Sequence, residues 1–174
     1  MKAIVYTSNT GSAKAYAEML GEKTGLPVLP FSEAVKTLDA GADIIYIGWL
    51  MAGAVVNLAK AKKQFHVRAV LAVGLTTSEE MVSSVRGRNR LPETVPLFLA
   101  QGAYDKKKLS GMYRAAMSVV GAALEKKISA MDSRTEEEER ILSMLRHGGS
   151  GVSDAYLDGM LAWYQTKIGW GERE

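Results

Sequence analysis

Cysteine is absent from this chain of 174 residues. Disulfides, thiolate zinc sites and cysteine-held iron–sulfur clusters are therefore excluded, and a reducing compartment is the expectation. No stretch approaches ~18 uninterrupted apolar residues, so no membrane span is expected. The opening "MKAIVYT" lacks the apolar core and small-residue cleavage site of a signal peptide, which makes a cytoplasmic location the expectation. Charge of one sign is scarce too: the net is +3. No basic cluster is interleaved with aromatics, so nucleic acid is not an expected partner, and Lys106, Lys107 and Lys108 read as a solvated face. Histidine occurs at positions 66 and 147, isolated and without paired ligands or a nearby nucleophile. Each reads as a surface or capping residue, and no metal site is expected.

What is present suits a globular domain. The hydrophobic fraction of 47% and charged fraction of 24% are ordinary, and the length fills one core. Apolar runs at 2–7, 26–31, 42–48, 67–74 and 95–102 read as strands. The second sits between prolines, as an edge strand does. Helical patterns fall between them, at 12–24, 32–38, 54–65 and 77–87, with a long one at 109–128. Gly25 is a C-terminal stop, Ser32 an N-cap, and Glu79 and Glu80 suit a helix start. In the long helix Met112, Ala116, Val119, Ala123 and Leu124 share a face.

Strand and helix alternate, and the strands are continuously apolar. This predicts an α/β domain with a parallel sheet covered on both faces. After residue 130 two helices follow, at 132–147 and 153–168, joined by "GGSG". The first opens on Glu136–Glu139, which complements the helix dipole. The chain reads as one domain over 1–174 with a helical extension over 131–174.

Doubly wound sheets bind ligands beyond the carboxyl ends of their strands. The informative turns are therefore Ser8 to Ala13, Gly48 to Gly53, Gly74 to Thr77 and Gly102 to Asp105. The first holds Ser8, Thr10 and Ser12 and feeds a helix, with no cation before Lys14. Backbone N–H groups and hydroxyls at a helix N-terminus hold an oxyanion such as a phosphate monoester. A Walker A loop and a Gly-x-Gly-x-x-Gly fingerprint are absent there. The acidic residues of a phosphorelay receiver are absent as well.

Ser8-Asn9-Thr10-Gly11-Ser12-Ala13 resembles the flavodoxin phosphate loop, Ser/Thr-x-Thr-Gly-x-Thr, with alanine where the family usually has a last threonine. "YIGWLMAG", "LAVGLTTSEE" and "VPLFLAQGAYDKKKLSGMYR" resemble segments of the flavodoxin-domain subgroup related to menaquinone-dependent protoporphyrinogen oxidase. There Met51 stands where tyrosine is usual. The resemblance implies a five-stranded sheet in the order 2-1-3-4-5 and FMN as cofactor. It implies that Ser8, Asn9, Thr10, Gly11, Ser12 and Ala13 hold the phosphate. Trp49, Leu50, Met51, Ala52 and Gly53 would pass beside the flavin ring, Gly74, Leu75 and Thr76 would meet its pyrimidine edge, and Gly102 and Ala103 would form the far rim. Redox partners would be a protein or a quinone-like or porphyrinogen-like small molecule, whose carboxylates Arg86, Arg88 and Arg90 would attract.

Plainer readings stand beside these. The hydroxyl-rich turn is also a helix cap, Trp49 a core or rim residue, Met51 a gap-filler, and the arginines a solvated stretch. Trp163, Tyr164 and Trp170 fit tail packing, a dimer face, or a lipid or quinone contact that touches a membrane only peripherally. The alternative function is an interaction module with this fold that binds no flavin. Catalytic residues and oligomeric state are not legible.

Overall fold

In the computed structural model, residues 1–104 and 111–171 are described. The Lys106–Lys108 run and Asp105 lie outside them, as do the side chains of Met112, Ala116 and Trp170. The architecture is α/β. Strands β1 (Ala3–Thr7), β2 (Val28–Pro30), β3 (Asp43–Met51), β4 (Ala54–Val55), β5 (His66–Gly74) and β6 (Leu97–Gln101) form one six-stranded sheet. The path β2-β1-β3-β5-β6 is parallel throughout. The short β4 pairs antiparallel with the end of β3. The five-strand expectation omits β4, because two residues carry no readable period.

Side chains alternate across the sheet and build a core on each face. Ala3 and Val5 of β1 and Ile44 and Tyr46 of β3 join one cluster, while Ile4, Ile45 and Ile47 join the other. A register shift between Ile44 and Ile45 sets how β5 lies against β3. Helices α2 (Phe31–Thr37), α3 (Leu58–Gln64) and α4 (Glu79–Asn89) cover the first face through Ala34, Leu58, Ala61 and Val85. Helix α1 (Ser12–Thr24) covers the second through Ala13, Tyr16, Ala17 and Leu20, the spacing its sequence shows. Each large side chain so buried contributes roughly 1.5–3 kcal/mol. Gly25 ends α1 in the left-handed region, its N–H donating to the Gly21 carbonyl.

Several helices depart from the sequence reading in where they start or which face they bury. Helix α2 begins at Phe31 behind Pro30, so Ser32 lies inside the first turn and caps nothing. The expected helix over 54–65 is divided: β4 takes Ala54–Val55, Asn57 turns with φ 62°, and α3 follows. Helix α5 (Gly111–Ser129) is turned differently from its apolar count. Val119 is 71% exposed and Ala123 is exposed, while Gly121 and Ile128 are buried. The reason is steric. A Cβ on Gly121 would come within 2.7 Å of the Tyr104 hydroxyl, so the glycine face meets that ring.

The C-terminal helices pack on the rest of the chain. Helix α6 (Glu136–His147) opens with a capping box, in which Thr135 Oγ1 accepts from the Glu138 N–H and the Glu138 carboxylate accepts from the Thr135 N–H. Its Ile141, Leu142, Met144 and Leu145 meet Tyr104 and Ile128 in a third cluster. Strand β7 (Ala103–Tyr104) pairs antiparallel with β8 (Gly149–Ser150) in the linker after α6. A 3-10 turn (Asp154–Leu157) leads into α7 (Asp158–Gly171), which lays Met160 and Tyr164 on the α1 face of the sheet, with Trp163 packed alongside. Tail packing is thus where Trp163 and Tyr164 belong. Among the described residues no helix is long and apolar enough to cross a membrane.

Candidate functional site

The turns after β1, β3, β5 and β6 converge on one cavity of about 290 Å³. Ser8, Asn9, Thr10, Ser12 and Ala13 line it from the first turn, and Trp49, Leu50, Ala52 and Gly53 from the β3–β4 hairpin. Gly74, Leu75 and Thr76 add the third wall, Gly102 and Ala103 the fourth. Gly11 and Met51 do not line it. Gly11 borders a neighbouring cleft, and Met51 pairs with Ala54 inside the hairpin. Sequence reasoning missed Met81 of α4 and Met117, Val120 and Leu124 of α5, which close the apolar side together with Tyr104. An apolar helix position gives no sign of whether it faces a core or a cavity. The phase error at Val119 and Ala123 hid the α5 wall further.

Helix α1 forms the polar end. Gly11 precedes it at φ 99°, a left-handed turn that suits glycine. Among the described residues no side chain caps the helix, and its first turn holds no acid. The first intrahelical bond is from Ala15 N–H to the Gly11 carbonyl, at 2.9 Å. The amides of Ser12, Ala13 and Lys14 lie ahead of it and have no intrahelical acceptor. The hydroxyls of the turn are unequal. Ser8 Oγ accepts from the Gly11 N–H at 3.1 Å, which fixes the turn itself. Ser12 Oγ, buried, accepts from the Ala103 N–H at 2.9 Å and so joins the first turn to the fourth. Thr10 makes no hydrogen bond through its hydroxyl among the described residues, and it lines the cavity.

The hairpin is tight by construction. Leu50 faces Val55 and Met51 faces Ala54, which leaves Ala52 (φ 48°) and Gly53 (φ 78°) as a two-residue turn. Both residues are left-handed, as a primed hairpin turn requires; for alanine this costs roughly 1–2 kcal/mol. The surroundings hold it there. Asn89 Nδ2 donates to the Gly53 carbonyl at 2.9 Å and Asn89 Oδ1 accepts from the Val55 N–H at 2.8 Å. The Tyr46 hydroxyl, buried under the hairpin, donates to the Val56 carbonyl at 2.8 Å and also meets the Thr7 hydroxyl at 2.8 Å. At Gly48 a Cβ would lie 2.6 Å from Val55 Cγ1, so the returning strand needs the glycine.

The far walls are laced by backbone. Gly102 N–H donates to the Gly74 carbonyl at 2.7 Å, and Gly151 N–H to the Gly102 carbonyl at 3.1 Å. Buried Gln101 donates from Nε2 to the Leu75 carbonyl at 2.9 Å. The Tyr16 hydroxyl donates to the Gln101 carbonyl at 2.7 Å and accepts from the Ser153 N–H at 3.2 Å. Burial pushes Tyr16 and Tyr46 up to about 12, so both hold their protons and act as neutral donors. Tyr104 is raised too, by burial first and then by the charge of Glu125.

Among the described residues no carboxylate, lysine or arginine lines the cavity. The arginine stretch does not act as one group. Arg86 donates to the Pro92 carbonyl at 2.7 Å and the Val95 carbonyl at 3.0 Å, tying α4 to the approach of β6. Arg90 ends α4 in the left-handed region, and Arg88 lies beside Gly53. His66 is exposed 3.5 Å from Asp43, and His147 is exposed in the last turn of α6. Among the described residues no group of histidine, aspartate and glutamate is arranged to hold a metal.

The described residues suit a ligand with an anionic end and an apolar end. An uncapped helix N-terminus and a free hydroxyl stand at one end, and apolar walls at the other. No family model matches the chain, and no curated protein matches it.

Proposed function

We propose that this chain is an FMN-binding redox protein with a flavodoxin-like fold, of the subgroup resembling menaquinone-dependent protoporphyrinogen oxidase. One observation carries the reading: the N-terminus of α1, with no side-chain cap, opens into a cavity whose described lining is mostly apolar and carries no charged side chain. A parallel sheet with its cavity at the carboxyl strand ends supports it as well. Flavin, when bound, supplies the electron transfer; the protein supplies position and environment.

The chain's own residues divide the work. The amides of Ser12, Ala13 and Lys14 and the Thr10 hydroxyl would hold the phosphate. The helix dipole favours its charge, so no cation is needed there. Ser8 and Ser12 serve by fixing the turn and its distance from Ala103. Trp49, Leu50, Leu75 and Met81 would exclude water from the ring. Trp49 and the methionines suit stacking and sulfur contacts. The Ala52–Gly53 turn, locked by Asn89, would present its amides to the ring edge in a fixed geometry.

The test is an absorbance spectrum of the purified protein, before and after addition of FMN and removal of the excess. A visible flavin band that stays with the protein is the expected result. The second reading, an interaction module without flavin, draws on the Ser8 and Ser12 hydroxyls, which are already engaged within the protein. No retained band in either sample would favour it.

A further inference from the structure

Lys60, Lys62 and Lys63 of α3, with Arg88 in the last turn of α4 and Arg90 just after it, make the region where the two helices meet a positive face. The two helices meet directly, because Lys62 Nζ donates to the Asn89 carbonyl at 2.7 Å and the Arg90 carbonyl at 3.1 Å. Lys60, Lys63, Arg88 and Arg90 are exposed. Among the described residues none of these cations has an ion-pair partner, whereas Lys14, Lys23, Arg68, Arg86, Arg134 and Arg146 each do. Helix α3 contains no acid. The acids of α4, Glu79 and Glu80, sit in its first turn, about 15 Å along the axis from Arg90. The face carries more positive charge than the whole chain's net of +3. Burial first, and then the charge of Arg90, lower the Lys62 pKa.

The face also borders the cavity. Arg88 Cγ lies 3.8 Å from where a Cβ on Gly53 would stand, so the cations run up to the hairpin. We propose that this face docks an acidic protein surface, and that the contact reaches the β3–β4 hairpin. Docking there would bring a partner's redox centre to the cavity wall, and in that respect the inference rests on the proposed flavin function. A protein fits better than a nucleic acid. Neither helix carries an aromatic side chain for base stacking. Helix α3 spans 7 residues, about 10 Å, well short of one ~34 Å turn of duplex. Complementary charge of this kind speeds encounter and selects the partner.

The test uses fluorescence anisotropy of the full chain with labelled oligoglutamate, and with a DNA single strand of equal formal charge. Lys60→Glu/Lys63→Glu reverses the face. Lys126→Glu/Lys167→Glu makes the same change of net charge at exposed sites on α5 and α7. The face variant is expected to weaken oligoglutamate binding about 10-fold or more, and the control about 2-fold or less. Circular dichroism confirms that both are folded. Equal losses in the two variants, tighter binding of the DNA strand, or no oligoglutamate binding by the parent would each overturn the proposal. Flavin retention is read separately by absorbance. A chain that binds no FMN but shows the expected anisotropy difference loses the redox reading and keeps the docking face.

Discussion

Asn89 grips Gly53 of the β3–β4 hairpin from the last turn of α4. Its Nδ2 donates to the Gly53 carbonyl at 2.9 Å and to the Val85 carbonyl at 2.7 Å, while Oδ1 accepts from the Val55 N–H at 2.8 Å. One side chain therefore ties the hairpin turn to its returning strand at the cavity wall. Lys62 holds the Asn89 main chain in turn, through its carbonyl.

Asn89→Ala removes these bonds and leaves the Gly53 carbonyl and Val55 N–H to find water. A loss of about 1–3 kcal/mol of stability is expected, measured by urea denaturation. Asn89→Asp keeps the acceptor but sets a carboxylate against the Gly53 carbonyl, and is expected to weaken FMN binding more than it lowers stability. An unchanged urea midpoint for the alanine variant would show that the hairpin does not depend on the strap.

Thr10→Glu places a negative charge at the mouth of the α1 N-terminus, where the phosphate is proposed to sit. Among the described residues its hydroxyl makes no hydrogen bond, so stability is expected to change by less than about 1 kcal/mol. FMN binding, followed by titration of flavin fluorescence, is expected to be lost. Wild-type affinity in this variant would remove the phosphate assignment.

Ser12→Ala is expected to do something different. It removes the link from Ser12 Oγ to the Ala103 N–H, a part-buried donor that loses this acceptor. A cost of about 1–2 kcal/mol is expected in denaturation. Hydrogen exchange at Ala103 should become faster, and exchange at the β2 edge, which does not share this bond, should not. Unchanged protection at Ala103 would count against the link.

Alkaline pH should unfold the protein through its buried tyrosines. Tyr16 and Tyr46 ionise near about 12 when folded, against about 10 when unfolded. The folded pKa is the higher one, so the stabilisation is complete below pH ~10 and falls away as pH rises towards ~12, by roughly 2–3 kcal/mol for each group. Tyr46→Phe should lose stability at neutral pH, because the Val56 carbonyl and Thr7 hydroxyl lose their shared partner. It should also show a shallower alkaline decline than the parent in denaturation followed across pH. A decline identical to the parent's would mean that Tyr46 titrates normally.

Ala52→Gly tests the strain in the hairpin. Glycine accepts φ 48° without the alanine penalty, and its extra unfolded-state freedom offsets part of that gain. A net gain of about 0.5 kcal/mol is expected, while Ala52→Val should lose at least about 1 kcal/mol because a β-branched residue resists the left-handed region. Thermal denaturation of the pair decides it: a stabilising valine would contradict the turn geometry.

Much of this protein was legible in its sequence. The strands are continuous apolar runs, and such runs bury both faces whatever surrounds them. The α1 spacing of Ala13, Tyr16, Ala17 and Leu20 fixes which side meets the sheet. The strand-to-helix turns therefore locate the cavity, and most of the residues expected at it line it. Periodicity is a local property, and local properties survive in the chain alone.

Tertiary structure decided what local pattern cannot carry. Met51 left the cavity because β4 folds back onto β3, a pairing set by two residues and by the room left at Gly48. The α5 wall turned on Gly121, which faces outward or inward according to whether a ring such as Tyr104 is waiting. Ser8 and Ser12 carry hydroxyls in sequence, but their partners at Gly11 and Ala103 determine that they brace the turn. Asn89 and Gly53 lie 36 residues apart, and no spacing rule joins them. A contact between distant segments depends on the shape of everything packed between them, and that shape exists only once the chain has folded.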